Sequence, residues 1–238
     1  MPSQDWIEAN RAKWKYRGQE RPPFALAPQP RQESVWDYPR PPRLAPDFRE
    51  VVVRLGSVEI ARSSRTIRVL ETASPPTFYI PPDDVTMNTI ERAAGGSLCE
   101  WKGQAAYWTV TAPGQRLERV GWSYPEPFPG FEAIRDYFGF YPAQLECFVD
   151  GIRVLPQPGR FYGGWVTPEL VGPFKGEPGS EMWHLATQGG GSSPESGTYP
   201  RRCHCRPWTT RGLGRDERCR CPGARWDLTC HWRHVAPT

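Results

Sequence analysis

The sequence predicts a mainly β fold: a compact barrel- or sandwich-like domain of short strands, with one packed α-helix and proline-rich arms. Three observations point to it. Proline supplies 28 of 238 residues and glycine another 23, far above the ~5% proline of an average chain, which favours turns and short strands over long helices. Between residues 48 and 155, short β-branched and aromatic runs alternate with turn signals. Within that region a single stretch, Phe131 to Gly139, carries its apolar residues at helical spacing.

The elements follow in order. Residues 3–16 are expected to form a short helix with Ser3 as N-cap and Trp6, Ile7, Ala9 and Trp14 along one face. From Gly18 to Pro46 the chain is punctuated by proline, which fixes φ and removes backbone donors. This stretch is either a flexible linker or an arm packed across the domain; Phe24, Trp36, Tyr38 and Leu44 favour the arm. "REVVVRLGSVEIARS" alternates on both sides of Gly56-Ser57 and reads as a hairpin. "TIRVLE" (66–71) and "TFYI" (77–80) follow as strands, with a break at Pro75-Pro76 between them, and "VTMNTI" (85–90) is a fifth candidate. "QAAYWTV" (104–110) and "RLERVGWSY" (116–124) flank a Pro113-Gly114 turn. Phe131, Ile134, Tyr137 and Phe138 then predict a helix ended by Gly139, and "LECFVDGIRVLP" a hairpin with a type I′ turn at Asp150-Gly151. The expected organisation is a short helix and proline-rich arm (1–47), a β-rich core (48–155), a Gly/Pro-rich arm (156–183) and an Arg/Cys-rich tail (184–238). "WDYPRP" (36–41) and "WSYPEP" (122–127) echo one another, as two packed corners or as an aromatic ligand wall.

Composition excludes several functions. The net charge of +4 is concentrated in residues 184–238, which hold nine Arg against four acids, leaving residues 1–183 slightly negative. That balance is unlike a nucleic-acid binder, whose affinity comes mainly from phosphate neutralisation. No run approaches the ~18 apolar residues of a membrane helix. The first residues lack the apolar segment of a secretory signal, so a cytoplasmic location is expected. Residues 1–183 contain no histidine, which removes Ser-His-Asp, Cys-His and histidine-zinc chemistry from that part. Neither standard glycine-rich phosphate cradle is present. No motif specifies a cofactor, and no metal site is expected in this part.

The stretch "CEWKGQAAYW" (99–108) is the most suggestive. Strand alternation would put Cys99 with Trp101 on one face, as a small buried thiol or a nucleophile, and Glu100 with Lys102 on the other. Lys102 is a solvated strand lysine or a ligand anchor; lysine is scarce here, at Lys13, Lys15, Lys102 and Lys175 against 26 Arg. Glu71 ends its strand, solvated or functional, and would form an ion pair or a polar floor under a ligand if it met Lys102.

"RVLET…PPTFYIPPDDV", "CEWKGQAAYW", "GWSYPEP" and "YFGFYP", in that order, resemble the bacterial family called domain of unknown function 427, and the flanks resemble those of its long form. The resemblance implies a compact, mainly β domain with the helix packed on it. The family carries a nucleotidyltransferase-like label, but this chain lacks the G-S plus paired-Asp pattern by which such enzymes hold magnesium and triphosphate. Membership of the shared motifs marks Glu71, Tyr79, Asp84, Cys99, Lys102, Tyr107, Trp122 and Tyr124 as candidate ligand-binding residues. The leading expectation is a small-molecule-binding domain with an aromatic cleft, in which Glu71 and Lys102 are polar anchors and an enzymatic role stays open. The alternatives are a non-catalytic interaction module using the Pro- and Trp-rich arms and, third, a nucleotidyltransferase-like enzyme.

The tail departs from the family. Cys203, Cys205, Cys219, Cys221 and Cys230 with His204, His231 and His234 could ligate zinc, although C-x-C is not the usual knuckle spacing. With few aliphatics and no lysine, the tail reads as a frameshifted GC-rich segment, a disordered basic extension or a metal module.

Overall fold

The computed structural model describes residues 4–159 and 161–183; the expectations for Ser3 and for the tail fall outside them. Nine longer strands carry the fold: β1 (Arg43–Asp47), β2 (Val51–Leu55), β3 (Val58–Ser63), β4 (Thr66–Glu71), β5 (Ser74–Tyr79), β6 (Ile90–Cys99), β7 (Gly103–Ala112), β8 (Gln115–Ser123) and β9 (Glu146–Val149). They form three antiparallel sheets: β1-β4-β5; β9-β2-β3, extended at its edge by Ile152–Arg153; and β8-β7-β6, extended beyond β8 by Gly139–Phe140. Sandwich-like packing holds, and no sheet closes into a barrel.

Two apolar layers follow from the alternation. Val51 and Val53 of β2, Ile60 of β3 and Val110 and Val120 of β7 and β8 are all fully buried in the main core, with Phe140 and Trp165. A second cluster lies around Val69, Tyr79, Ala105, Trp122, Tyr124 and Ile134. The β2–β3 turn has Gly56 at φ 59°, and the turn after β9 has Asp150 at 48° and Gly151 at 73°. These positive values are the backbone that two-residue hairpins require.

Three expectations need correction. The run from Phe131 to Phe138 is not a helix: it makes one 3-10 turn, Glu132–Ile134, and Asp136 enters the left-handed region at φ 60°. Its backbone groups go to neighbouring elements instead, Asp136 N–H to the Tyr124 carbonyl (3.1 Å) and Phe138 in a reciprocal pair with Ile80 (2.8 and 2.9 Å). Its apolar spacing reflects a chain threading between two clusters, with Ile134 in one and Phe138 in the other. The single α-helix among the described residues is Gln4–Ala12, in the N-terminal segment and shorter than expected. Pro75-Pro76 does not break a strand but lies inside β5, at a register shift against β4, where an edge strand tolerates missing donors. Of the expected strand 85–90 only Ile90 is in one, as the first residue of β6; Met87–Thr89 form a 3-10 turn, and β6 has its own register shift between Arg92 and Gly96.

The proline-rich N-terminal segment is packed. Val35 and Trp36 are fully buried, and the Trp36 indole donates to the Pro173 carbonyl (3.0 Å). Both flanks grip the β4–β5 turn. Ala73 N–H donates to the Val35 carbonyl (2.9 Å), Thr72 Oγ1 to the Tyr38 carbonyl (2.5 Å), and Lys175 N–H to the Ala73 carbonyl (2.7 Å).

Candidate functional site

The β4–β5 turn and the β6–β7 hairpin face a cavity of about 220 Å³. Glu71 enters it because it is the last residue of β4, where the two flanks hold the turn. Cys99 and Lys102 enter it for a different reason. Cys99 pairs with Gly103 across the hairpin mouth, so Glu100, Trp101 and Lys102 form the turn itself. Strand alternation therefore does not apply, and Cys99 and Lys102 face the same cavity rather than opposite sides. Gly103 makes this geometry accessible at φ 97°, against the Glu126 carbonyl, where a Cβ would sit 3.1 Å from the oxygen. The hairpin is braced by the N-terminal helix: Arg11 Nε donates to the Glu100 carbonyl (2.7 Å), and its guanidinium stacks on Trp101 at 5.1 Å.

The aromatic wall is built from β7, β8 and the segments C-terminal to β8. Tyr107 donates to Ser97 Oγ (2.8 Å), and the buried Trp122 indole donates to the Tyr79 hydroxyl (3.1 Å). Trp122 also meets Tyr141 with ring centroids 4.5 Å apart. Its indole runs between two glycines: a Cβ at Gly139 would sit 2.5 Å from it and one at Gly163 2.2 Å. Gly139 and Gly163 are thus the two walls of a slot for Trp122. Gln157 fixes the same segment, accepting from Gly164 N–H (3.1 Å) and donating to the Lys175 carbonyl (2.8 Å).

The charges are unevenly matched. Arg40, with its side chain 1% exposed, pairs with Glu71 at 2.8 Å and stacks on Trp14 at 4.0 Å. Burial favours the neutral form of Glu71, but Arg40, Lys102 and Lys175 outweigh it and hold the carboxyl below its ordinary range. Burial likewise pushes Lys102 toward neutrality, yet Cys99, Tyr79 and Glu71 prevail, and the ammonium stays protonated above its usual value. Burial pushes Tyr79 and Tyr124 up, so both remain neutral phenols. Lys102 Nζ sits 5.8 Å from the Tyr124 ring centre, and Lys175 Nζ lies 4.6 Å from that of Tyr162.

Six of the eight residues singled out in the sequence line this cavity: Glu71, Cys99, Lys102, Tyr107, Trp122 and Tyr124. Tyr79 lies behind the wall, bonded to Trp122. Asp84 is elsewhere, accepting from Ser63 Oγ (2.7 Å) and pairing with Arg65 at 2.9 Å, and its lowered pKa follows from Arg65 first. Its motif neighbours are at the cavity, but the 3-10 turn Pro82–Asp84 carries it away. Sequence reasoning missed Arg40, Tyr141, Gln157, Tyr162 and Lys175, which reach the site from the flanks or from beyond the motif strands. The scarcity of lysine was the one available signal, and it pointed to Lys175 as much as to Lys102. The Trp-x-Tyr-Pro echo divides: Trp36 and Tyr38 are a packed corner, whereas Trp122 and Tyr124 are cavity wall.

A family model described as domain of unknown function (DUF427) matches residues 43–151. Residues 43–151 are thus similar to this family's domain. No curated protein matches it. The match to the DUF427 domain covers every cavity residue singled out in the sequence and stops short of Gln157, Tyr162 and Lys175. Among the described residues, no three His, Cys, Asp or Glu side chains gather as a metal site would need, and no helix is long and apolar enough to cross a membrane.

Proposed function

We propose that this protein binds a small molecule in the aromatic cavity, with Lys102 and Glu71 as its polar anchors. The observation that carries this reading is convergence. A buried ammonium, a largely buried carboxylate and the Trp122–Tyr124 wall come from three separate elements to one concave site, the arrangement typical of ligand pockets. Lys102 is only 9% exposed, and a solvated strand lysine has no reason to be so buried. The rival reading, an interaction surface formed by the Pro- and Trp-rich arms, predicts a flat exposed aromatic patch. Phe24 and Phe161 are exposed, but Trp14, Trp36 and Tyr38 are buried, and the burial of these rings favours the ligand reading.

The test is a thermal-shift screen of the full chain against metabolites and nucleotides, run beside Lys102→Ala. A ligand at 100-fold its dissociation constant should add about 2.7 kcal/mol of stability. A hit that persists undiminished in Lys102→Ala would remove Lys102 from the site.

A further inference from the structure

The lysines that face the cavity are short of counter-charge. Arg40 is already committed to Glu71. Among the described residues, neither Lys102 nor Lys175 forms an ion pair with a carboxylate, though both act on Glu71 from a distance. Glu100, the other carboxylate lining the cavity, lies 3.8 Å from the Cys99 thiol. With Glu71 neutralised by Arg40, which lies outside the lining, Lys102 and Lys175 are set against Glu100 alone, and Arg119, stacked on Tyr107 at 4.3 Å, adds a further positive charge from an exposed position. A buried ammonium whose side-chain hydrogen bond goes to the Cys99 thiol and which has no carboxylate in ion-pair reach is poorly compensated, which favours an anion in the site.

Size and shape narrow the class. A cavity of about 220 Å³ is smaller than the ~300–1,000 Å³ of pockets for drug-sized ligands, too small for a nucleoside triphosphate to be enclosed. Its walls include the rings of Trp122, Tyr107, Tyr124 and Tyr141, which suit a flat ring. Burial keeps Tyr124 and Tyr141 as neutral phenols that can donate to an oxyanion, and a protonated Lys102 is an anion anchor rather than an amine nucleophile. We infer that the ligand is a single-ring aromatic carboxylate, its carboxylate set between Lys102 and Lys175 and its ring against Trp122 and Tyr124. This rests on the cavity being a ligand site, and it names what the site takes.

The experiment titrates the full chain with benzoate, neutral benzamide and cationic benzamidine, following the amide NMR signals of Gly103, Gly163 and Gly164, which border the site. Saturable benzoate binding is expected, at least tenfold tighter than benzamide, with benzamidine weakest. Lys102→Met and Lys175→Met should each weaken benzoate at least tenfold and leave benzamide within threefold. Lys175→Met is the safer variant, since Lys102 is more deeply packed, and unchanged chemical-shift dispersion shows that each variant folds. Benzamide binding as tightly as benzoate would overturn the anionic assignment and leave the ligand site standing. If none of the three probes moves those glycine signals, the aromatic-carboxylate assignment falls, and the ligand site itself stands or falls by the thermal-shift screen.

Discussion

Replacing Glu71 by glutamine removes the charge that holds Arg40 inside the protein. The Arg40 side chain is 1% exposed and the Glu71 side chain 15%, with 2.8 Å between them. Arg40 Nε and Nη1 already lack an acceptor in the structure, so after the substitution the guanidinium has no counter-charge and keeps the Thr72 carbonyl at 3.2 Å, the Trp14 face and a neutral amide oxygen at position 71. Removing one partner of a buried pair costs about 3–5 kcal/mol. The residual exposure of Glu71 places the expected loss at the lower end, ~3 kcal/mol, or roughly 6–12 °C in Tm for a chain of this size. Thermal and urea denaturation at neutral pH measure it. The loss also has a pH signature. The Glu71 carboxyl is held below its ordinary value of 4.5 when folded, so its contribution is complete above the unfolded value and disappears as pH falls through the folded one. The gap between wild type and Glu71→Gln should therefore be full at pH 7 and narrow below about pH 4.5. A Tm within 2 °C of wild type, or a gap that does not change with pH, would refute the account of this pair.

Further outcomes rest on the same geometry. Gly163→Ala drives a methyl to 2.2 Å from the Trp122 ring and should cost about 1–3 kcal/mol by overpacking, visible in Tm and as a shifted tryptophan fluorescence spectrum. Arg11→Ala releases the Glu100 carbonyl and the Trp101 face. Amide hydrogen exchange across residues 100–103 should accelerate roughly tenfold, corresponding to a charge-assisted hydrogen bond of ~1.5 kcal/mol. Asp84→Asn breaks a pair whose Arg65 side chain is 55% exposed, so stability should fall by no more than about 1 kcal/mol, and ligand affinity measured by NMR titration should not change.

The strands were legible where side-chain alternation and turn chemistry agree: the hairpin at Gly56-Ser57, "TIRVLE", the pair around Pro113-Gly114 and the Asp150-Gly151 turn. The Phe131–Phe138 run was misread because periodicity reports which side chains are buried, not what the backbone bonds to. Those peptide groups are taken by Ile80 and Tyr124, partners remote in sequence. β6 was missed because "IERAAGGSLC" is largely exposed and rich in small residues, so no apolar pattern marks it. At the cavity, residue types and motif membership identified Glu71, Lys102 and the Trp122–Tyr124 wall. They could not show that Cys99 and Lys102 share a side, since that depends on a hairpin turn, nor that Lys175 arrives from a distant segment.

The Trp122 slot has a consequence for where this domain can be cut. The family match ends at residue 151, yet one wall of the slot is Gly163. The fully buried Trp165, whose indole donates to the Phe140 carbonyl at 3.0 Å, also lies past that end. A fragment trimmed to the matched residues would be left with an open seam along its core. Conversely, a fragment ending at residue 183 carries both walls. The boundary of sequence similarity and the boundary of the cooperative folding unit therefore differ, and homologues differing in this flank should be expected to differ in the cavity it closes.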